Sequence, residues 1–337
     1  MINLTSSSEH YHFPVMLEEI IKICSPVKGG VYIDCTFGGG GYSKKLLQFS
    51  KTKVIALDRD KFILSISKDL EKKYPKRFIF HQKKFSELNT VVNKQLADAI
   101  LFDLGLSSIQ LKNLKRGFSF KSKEKLDMSM GLSKISAEDV VNNFSEQKLK
   151  SIIKVLGEEK DASRIARNII KNRIINKITR VDQLVKIIEK SKKKNYANKL
   201  NPSTKTFQAL RIFVNKEISE LITGIINATK VLKPGGKLLI VSFHSIEDKI
   251  VKYFFNNFSQ NRSKPSRYFP DNKNIDILLF DKYKNNIIKP SNLEIIKNPP
   301  SRSAKLRYAI RNKNNFIFPE ELITKFKKYL DLESSHA

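Results

Sequence analysis

Cysteine is almost missing from this chain. Two residues of 337, Cys24 and Cys35, form neither a disulfide framework nor the spacing of a metal-ligand set, and both read as small buried apolar residues. Long apolar runs are missing as well. With 40% hydrophobic residues but no run near the roughly 18 residues needed to cross a bilayer, a soluble protein is expected. Met1 to His12 lacks the basic-then-apolar order of a secretory signal, so the expected location is the cytoplasm. Acids are scarce: 33 Asp+Glu stand against 63 Lys+Arg, a net charge of +30. A lysine- and asparagine-rich bias alone would not deplete the acids. The excess points to a polyanion, nucleic acid ahead of an anionic membrane surface, because no long amphipathic basic helix stands out.

What is present is organised around Val31 to Ser43, V-Y-I-D-C-T-F-G-G-G-G-Y-S. A β-prone run, four glycines and a helical apolar spacing make a strand, a tight turn and a helix. A turn without side chains lets a ligand approach the main chain, and the N–H groups opening a helix favour an electron-rich partner. The run has no basic P-loop ending, so no triphosphate site of that type is expected.

Further strands are expected at Lys53–Asp58, Phe78–His81 and Ala97–Asp103, the last near-continuously apolar as suits a sheet buried on both faces. A short helix over 14–24 precedes the first strand, and one presenting Phe62, Ile63, Ile66 and Leu70 follows the second. This alternation implies a parallel sheet. From about Leu111 to Leu200 the text turns helical, basic and polar. We expect an inserted helical domain over 111–201, with 1–110 and 202–337 forming the α/β domain. In the insert Ser145 is placed to cap a helix ending at Gly157, and Thr179 with Asp182 to open another. One long helix is expected from Ser203 or Thr204 to about Val231, then a turn at Lys233 to Gly236 and a strand from Lys237 to Phe243. Ile246 to Phe258 reads as a helix, and Ser259 to Asn274 as a mobile loop. Ala304, Leu306, Tyr308 and Ile310 alternate with Lys305, Arg307 and Arg311, the period of a half-exposed last strand.

Asp58 lies 20 residues beyond Gly38, the offset at which an acid meets a ribose in nucleotide-binding βαβ units. The alternative is a local ion pair with Arg59 or Lys61. Asp34, before the glycine turn, would repel a pyrophosphate but suit the ammonium of a methionine moiety, which favours S-adenosylmethionine over a dinucleotide. It is also placed to cap the turn. Asp103 ends the fourth strand, in the crevice where α/β ligands bind. An exocyclic amine is a poor nucleophile because its lone pair is delocalised into the ring. An acceptor for its N–H hydrogens helps it pyramidalise, and alignment with the methyl supplies much of the rate. No metal is required.

The ordered motifs E-H-Y-H-F-P-V-M-L, T-F-G-G-G-G-Y-S, A-L-D-R-D, L-F-D-L-G-L-S-S-I-Q-L, R-G-F-S-F, L-D-M-S-M, G-E-E, T-F-Q-A-L-R-I-F-V-N, L-K-P-G-G, S-F-H-S-I-E-D and N-P-P-S-R-S-A-K-L-R resemble the bacterial ribosomal RNA small subunit methyltransferase H family. That family methylates N4 of a decoding-centre cytidine in 16S ribosomal RNA using S-adenosylmethionine. The resemblance runs from about His10 to Arg311. It implies a class I, Rossmann-like methyltransferase fold with a helical insertion, the small ribosomal subunit as partner, and cofactor contacts at Gly40, Gly41, Tyr42, Asp58, Phe85, Asp103 and Gln110, beside Gly38 and Asp34 from the residue reading. Tyr42 stands where the family commonly has His, leaving backbone contacts at that position, and Ile109 where it often has Pro. Ser129 replaces the usual arginine of L-D-M-R-M, removing any phosphate contact there.

On the substrate side Asp103 is expected to accept from the target N4. Ser107 and Ser108 should line the cleft, with His244 opposite, although a strand-end His is more often structural. Arg164, Arg167 and Lys171 share one helix face, and Arg302, Lys305, Arg307 and Arg311 crowd the last strand. Each set is either a phosphate clamp or a solvated basic face. Two rivals stand beside the RNA reading: a DNA amino-methyltransferase, disfavoured because Asp103-Leu104-Gly105 replaces the proline-containing motif of such enzymes, and a non-catalytic RNA-binding assembly factor.

Overall fold

The computed structural model describes residues 14–92, 96–107, 110–111, 113–192, 201–260, 278–281 and 283–335. Its centre is a six-stranded sheet of β1 (Val31–Asp34), β2 (Lys53–Leu57), β3 (Phe78–His81), β4 (Ala97–Asp103), β5 (Leu232–Ser242) and β6 (Lys305–Ile310). The order is β3-β2-β1-β4-β5-β6. The first five strands run parallel and β6 pairs antiparallel to β5. This is the mostly parallel sheet that the alternation of strands and helices implied. β4 is buried along almost its whole length, as an apolar strand covered on both faces must be. The order reverses between β1 and β4, so their carboxyl ends part and leave a crevice at Asp34 and Asp103.

Helices α1 (Leu17–Cys24), α2 (Gly41–Leu47) and α3 (Leu64–Lys73) pack on one face with Ile20, Leu46 and Leu70 inward. Phe62, expected inward, is 53% exposed because a 3₁₀ turn over Lys61–Ile63 precedes α3; the Arg116 guanidinium lies 4.9 Å from its ring centroid. The insert supplies α4 (Ala137–Asn143), α5 (Glu146–Leu156), α6 (Ala162–Ile175) and α7 (Val181–Ser191). Ser145 caps α5 as expected, accepting from Lys148 N at 3.2 Å, and Gly157 closes it in the right-handed region, φ −95°. At α7 the expected Thr179–Asp182 box does not form. Gln183 Oε1 instead accepts from Thr179 N and Arg180 N, both at 2.9 Å, because its longer side chain reaches back over the first turn. These helices share one continuous apolar cluster with the sheet and with α8 (Thr204–Asn215) and α9 (Glu217–Val231).

The single long helix expected over 204–231 is broken into α8 and α9 at Lys216, whose φ is 51°. A left-handed residue costs roughly 1–2 kcal/mol, and the break is held from both sides. The buried Asn215 amide accepts from Met130 N at 2.8 Å and donates to Met128 O at 2.9 Å. The Glu333 carboxylate, on α12 (Glu320–Ser334), accepts from the opening N–H groups of α9, Ile218 at 3.0 Å and Ser219 at 2.7 Å. Those donors have no intrahelical acceptor, and a negative charge suits that end of the helix dipole.

The expected turn at Lys233–Gly236 lies within β5, where the register against β4 shifts between Ala97 and Ala99. α10 (Ser245–Asn257) and α11 (Asn292–Lys297) follow. Most of the loop expected over 259–274 lies outside the described residues. On β6 the expected alternation fails: Arg307 is 2% exposed and Tyr308 37%. Arg307 donates to Asp248 Oδ1 at 2.7 Å and Tyr283 Oη at 2.9 Å, and α10 buries the pair. Among the described residues no helix is long and apolar enough to cross a membrane.

Candidate active site

The glycine turn is built for close packing. Gly40 has φ 74°, and a Cβ there would lie 2.8 Å from the Phe37 ring, so any side chain would both strain the backbone and collide. Behind the turn, Asp34 is fully buried. Its Oδ2 accepts from Ser43 Oγ at 2.7 Å and Oδ1 from Thr36 N at 3.3 Å. Burial pushes its carboxyl up to about 6. The ammonium contact expected of Asp34 is therefore corrected: the carboxylate staples β1 to α2 and does not face the crevice. Both ligand and cap readings were open to a strand-end acid, and two local donors decided the matter.

In front of the turn lies a cleft lined by Gly38, Gly41, Tyr42, Asp58, Phe85, Asp103, Ser107 and Gln110 among others. The turn and the ends of β2 and β4 thus bring most of the expected site together. Ser108 lies outside the described residues. Gly40 belongs to the turn itself without lining the cleft. Asp58 follows β2, half-buried, its Oδ2 accepting from Gly38 N at 2.8 Å and Oδ1 from Asp60 N at 2.9 Å. Burial raises its carboxyl. The alternative pairing with Arg59 does not form: that guanidinium donates to Asn215 O at 2.9 Å and contacts Met130 Sδ at 3.0 Å.

Asp103 is anchored through its backbone, whose N–H donates to Thr36 Oγ1 at 2.7 Å. Its Oδ2 lies 3.1 Å from Tyr42 Oη, while Oδ1 is buried without a hydrogen-bond partner. Burial, together with Asp34, Glu247 and Glu294, pushes this carboxyl up to about 8. The Tyr42 hydroxyl is thus engaged within the protein, by Val15 O and by the candidate catalytic acid. Phe85 meets Phe102 edge-on at 5.3 Å.

Three groups escaped the reading of the chain. Asp60, the second acid of A-L-D-R-D, accepts from Gln110 Nε2 at 2.8 Å and from the Arg116 guanidinium. Burial opposes ionisation there, but these donors hold its carboxyl below the usual range. Gln110 Oε1 in turn accepts from Ser107 N at 3.0 Å, so Gln110 shapes the loop it was expected to use on the cofactor. The doubled acid was the available signal. The second and third are Glu247 and the Arg211–Glu217 pair, whose two hydrogen bonds measure 2.8 and 2.9 Å. His244 caps α10: its Nδ1 accepts from Glu247 N at 3.4 Å. Its Nε2 stands 3.1 Å from Glu247 Oε1 but off the hydrogen-bond direction. His244 is thus a capping residue beside the cleft, with Glu247 the member that lines it. Burial opposes the Glu247 charge, but His244 and Arg211 hold its carboxyl below the usual range.

The electrostatics of the cleft run against those of the chain. In a protein of net charge +30, Asp58, Asp103, Glu217, Glu220 and Glu247 line it, against Arg59, Lys83 and Lys84. Such a wall suits a cation and opposes a pyrophosphate. It fits S-adenosylmethionine, whose sulfonium and ammonium are positive. Of the two readings of the β6 set, phosphate clamp or solvated face, neither describes the set as a whole. Arg307 and Arg311 are buried, Arg311 donating to Leu279 O at 2.9 Å, and Lys305 pairs with Asp248 at 3.0 Å; of that set Arg302 is exposed. On α6, Arg164 pairs with Asp161 at 2.6 Å and Arg167 with Glu146 at 3.8 Å, both on the surface, and Lys171 is exposed.

A ribosomal RNA small subunit methyltransferase H from Bartonella grahamii is 42% identical over 300 residues, 89% of each chain. The protein of that name from Bartonella bacilliformis is 40% identical over 324 residues, 96% of this chain and 97% of that one. An rRNA methylase structure from Streptococcus thermophilus superposes with TM-score 0.38 at 12% identity, covering 86% of this chain and 92% of that one. The model of the MraW methylase family matches residues 9–312, the whole length over which the motifs run, and the chain belongs to that family of methyltransferases.

Proposed function

We propose that this methyltransferase transfers the methyl group of S-adenosylmethionine to the exocyclic N4 of a cytidine in the decoding centre of 16S ribosomal RNA. The names of the relatives supply the substrate class. The observation that carries the chemistry is Asp103 Oδ1, a buried acceptor without a partner at the carboxyl end of β4 in an acid-lined cleft.

When bound, S-adenosylmethionine supplies an electrophilic methyl. Asp58 receives the ribose hydroxyls on the lone pairs left free by Gly38 and Asp60. Gly38, Gly41, Tyr42, Phe85 and Gln110 surround the rest of the cofactor. Asp103 Oδ1 accepts one N4–H of the cytosine, localising the nitrogen lone pair and aiming it along the transfer axis. Transfer of that methyl would leave one proton to be lost from N4, which Asp103 or water would accept. Ser107 lines the approach, and the target base must be single-stranded or flipped out to enter. The inserted segment over 111–201 acts as a substrate-gripping domain.

The test is methylation of purified small subunits with labelled cofactor, followed by digestion and mass spectrometry of the nucleosides. N4-methylcytidine from the wild type, lost in Asp103→Ala, is the expected result. Transfer to duplex DNA instead would favour the DNA enzyme, and tight cofactor binding without transfer to any RNA would favour the assembly factor.

A further inference from the structure

Four aromatic side chains reach the cleft: Phe37, Tyr42, Phe85 and Phe243. Three are committed elsewhere. Phe37 is 2% exposed and packs against the rings of Phe78 and Phe80, both at 5.5 Å. Tyr42 is buried with its hydroxyl engaged. Phe85 follows β3 and is packed edge-on to Phe102. Phe243, the residue after β5, is half-buried and has no ring partner among the described residues.

Its position is fixed by two contacts. The Phe243 N–H donates to Glu247 Oε2 at 2.8 Å, which locks the backbone at the strand end. The ring lies over Gly105, where an added Cβ would stand 3.3 Å from Cδ2 and 3.7 Å from Cγ. Gly105 also has φ 98°, so the loop after Asp103 turns on the one residue type that leaves room for the ring. That loop continues as Leu104, Gly105, Leu106 and Ser107 and carries no aromatic residue. An enzyme that methylates a base must draw it out of its stack, at a cost of a few kcal/mol, and such bases are held between aromatic or apolar side chains.

We infer that Phe243 is the ring on which the target cytosine stacks beside Asp103, supplied by β5 across Gly105 in place of an aromatic within the Asp103 loop. The inference rests on the cytidine reading. It assigns Phe243 to substrate affinity and base alignment, and leaves cofactor binding to the β1 and β2 ends.

The experiment compares wild type, Phe243→Leu and Phe243→Tyr in methylation of small subunits, with cofactor affinity by titration calorimetry and thermal melting as a check on folding. Base–aromatic stacking amounts to about 5- to 150-fold in binding. Phe243→Leu should lower kcat/KM for the RNA by that factor, with cofactor Kd and melting temperature unchanged, and Phe243→Tyr should recover most of the loss. Phe243→Leu within twofold of wild type would overturn the inference, as would a matching loss of cofactor affinity or a Tyr variant no better than Leu. A wild type that makes no N4-methylcytidine would overturn the cytidine reading itself.

Discussion

The hydroxyl of Tyr42 stands 2.5 Å from the carbonyl oxygen of Val15 and 3.1 Å from Oδ2 of Asp103. A phenol has one proton to donate, and the Val15 carbonyl can only accept. With its proton turned to Asp103, the phenol holds Oδ2 and leaves Oδ1 as the acceptor without a partner. Tyr42→Phe removes this restraint while keeping the ring. A single hydrogen bond nets about 0.5–1.5 kcal/mol, so kcat should fall roughly 3- to 10-fold, with cofactor Kd nearly unchanged. Equal kcat in steady-state methylation would show that Asp103 needs no such restraint.

The same carboxyl sets a pH dependence. Asp103 is pushed up to about 8, chiefly by burial, with Asp34, Glu247 and Glu294 adding repulsion. Below that pH it is neutral and a weak acceptor, and above it ionised and a strong one. kcat/KM, which reports the free enzyme, should rise through about pH 8. In the complex the positive cofactor favours the carboxylate, so kcat should rise at lower pH. Asp103→Asn should flatten both limbs; a profile that keeps its rise in that variant would place the ionisation elsewhere.

The sheet is where the chain is most legible. The Ala97–Asp103 run shows its strand because both faces are buried, and Asp58 and Asp103 show their place because strand ends point to the crevice whatever the distant packing does. Lys216 and Arg307 were not legible. The helix break at Lys216 is stabilised by Glu333, 115 residues beyond Ile218, and Arg307 is drawn inward by Asp248, 59 residues away. Local periodicity carries no trace of such partners. Asp34 was legible as important but not as a staple, since a ligand and the Ser43 hydroxyl ask for the same oxygen.

Asp58 should affect binding more than turnover. If its carboxylate accepts two ribose hydroxyls, removing it forfeits about 1.5–3 kcal/mol per charged hydrogen bond, less whatever water returns. Asp58→Ala should therefore weaken cofactor Kd by at least about tenfold in calorimetry. The loss of the Gly38 and Asp60 acceptor adds disorder in the turn. Asp58→Asn, which keeps the acceptor Oδ1, should sit between wild type and Ala. An Ala variant with wild-type Kd would remove Asp58 from the cofactor site.

Glu333 gives a stability prediction far from any chemistry. It is 1% exposed, and burial pushes its carboxyl up to about 7 despite the donors at Ser219 and Ile218. For an acid raised in the folded state, the folded protein binds the proton more tightly than the unfolded chain. The resulting stabilisation is complete below the unfolded value near 4.5 and is lost as pH rises through about 7. Denaturant melts should therefore show a decline in stability between about pH 5 and 7 that Glu333→Gln removes. Gln keeps an oxygen for one N–H of α9 but not for both, and Glu333→Ala leaves both without a partner. Each unsatisfied buried donor costs about 1–3 kcal/mol, so the Ala variant should be the least stable of the three across the range. Because Glu217 opens the same helix and lines the cleft, that variant should also lose activity at temperatures well below its melting point. Retained activity there would show that the α9 terminus holds its place without Glu333.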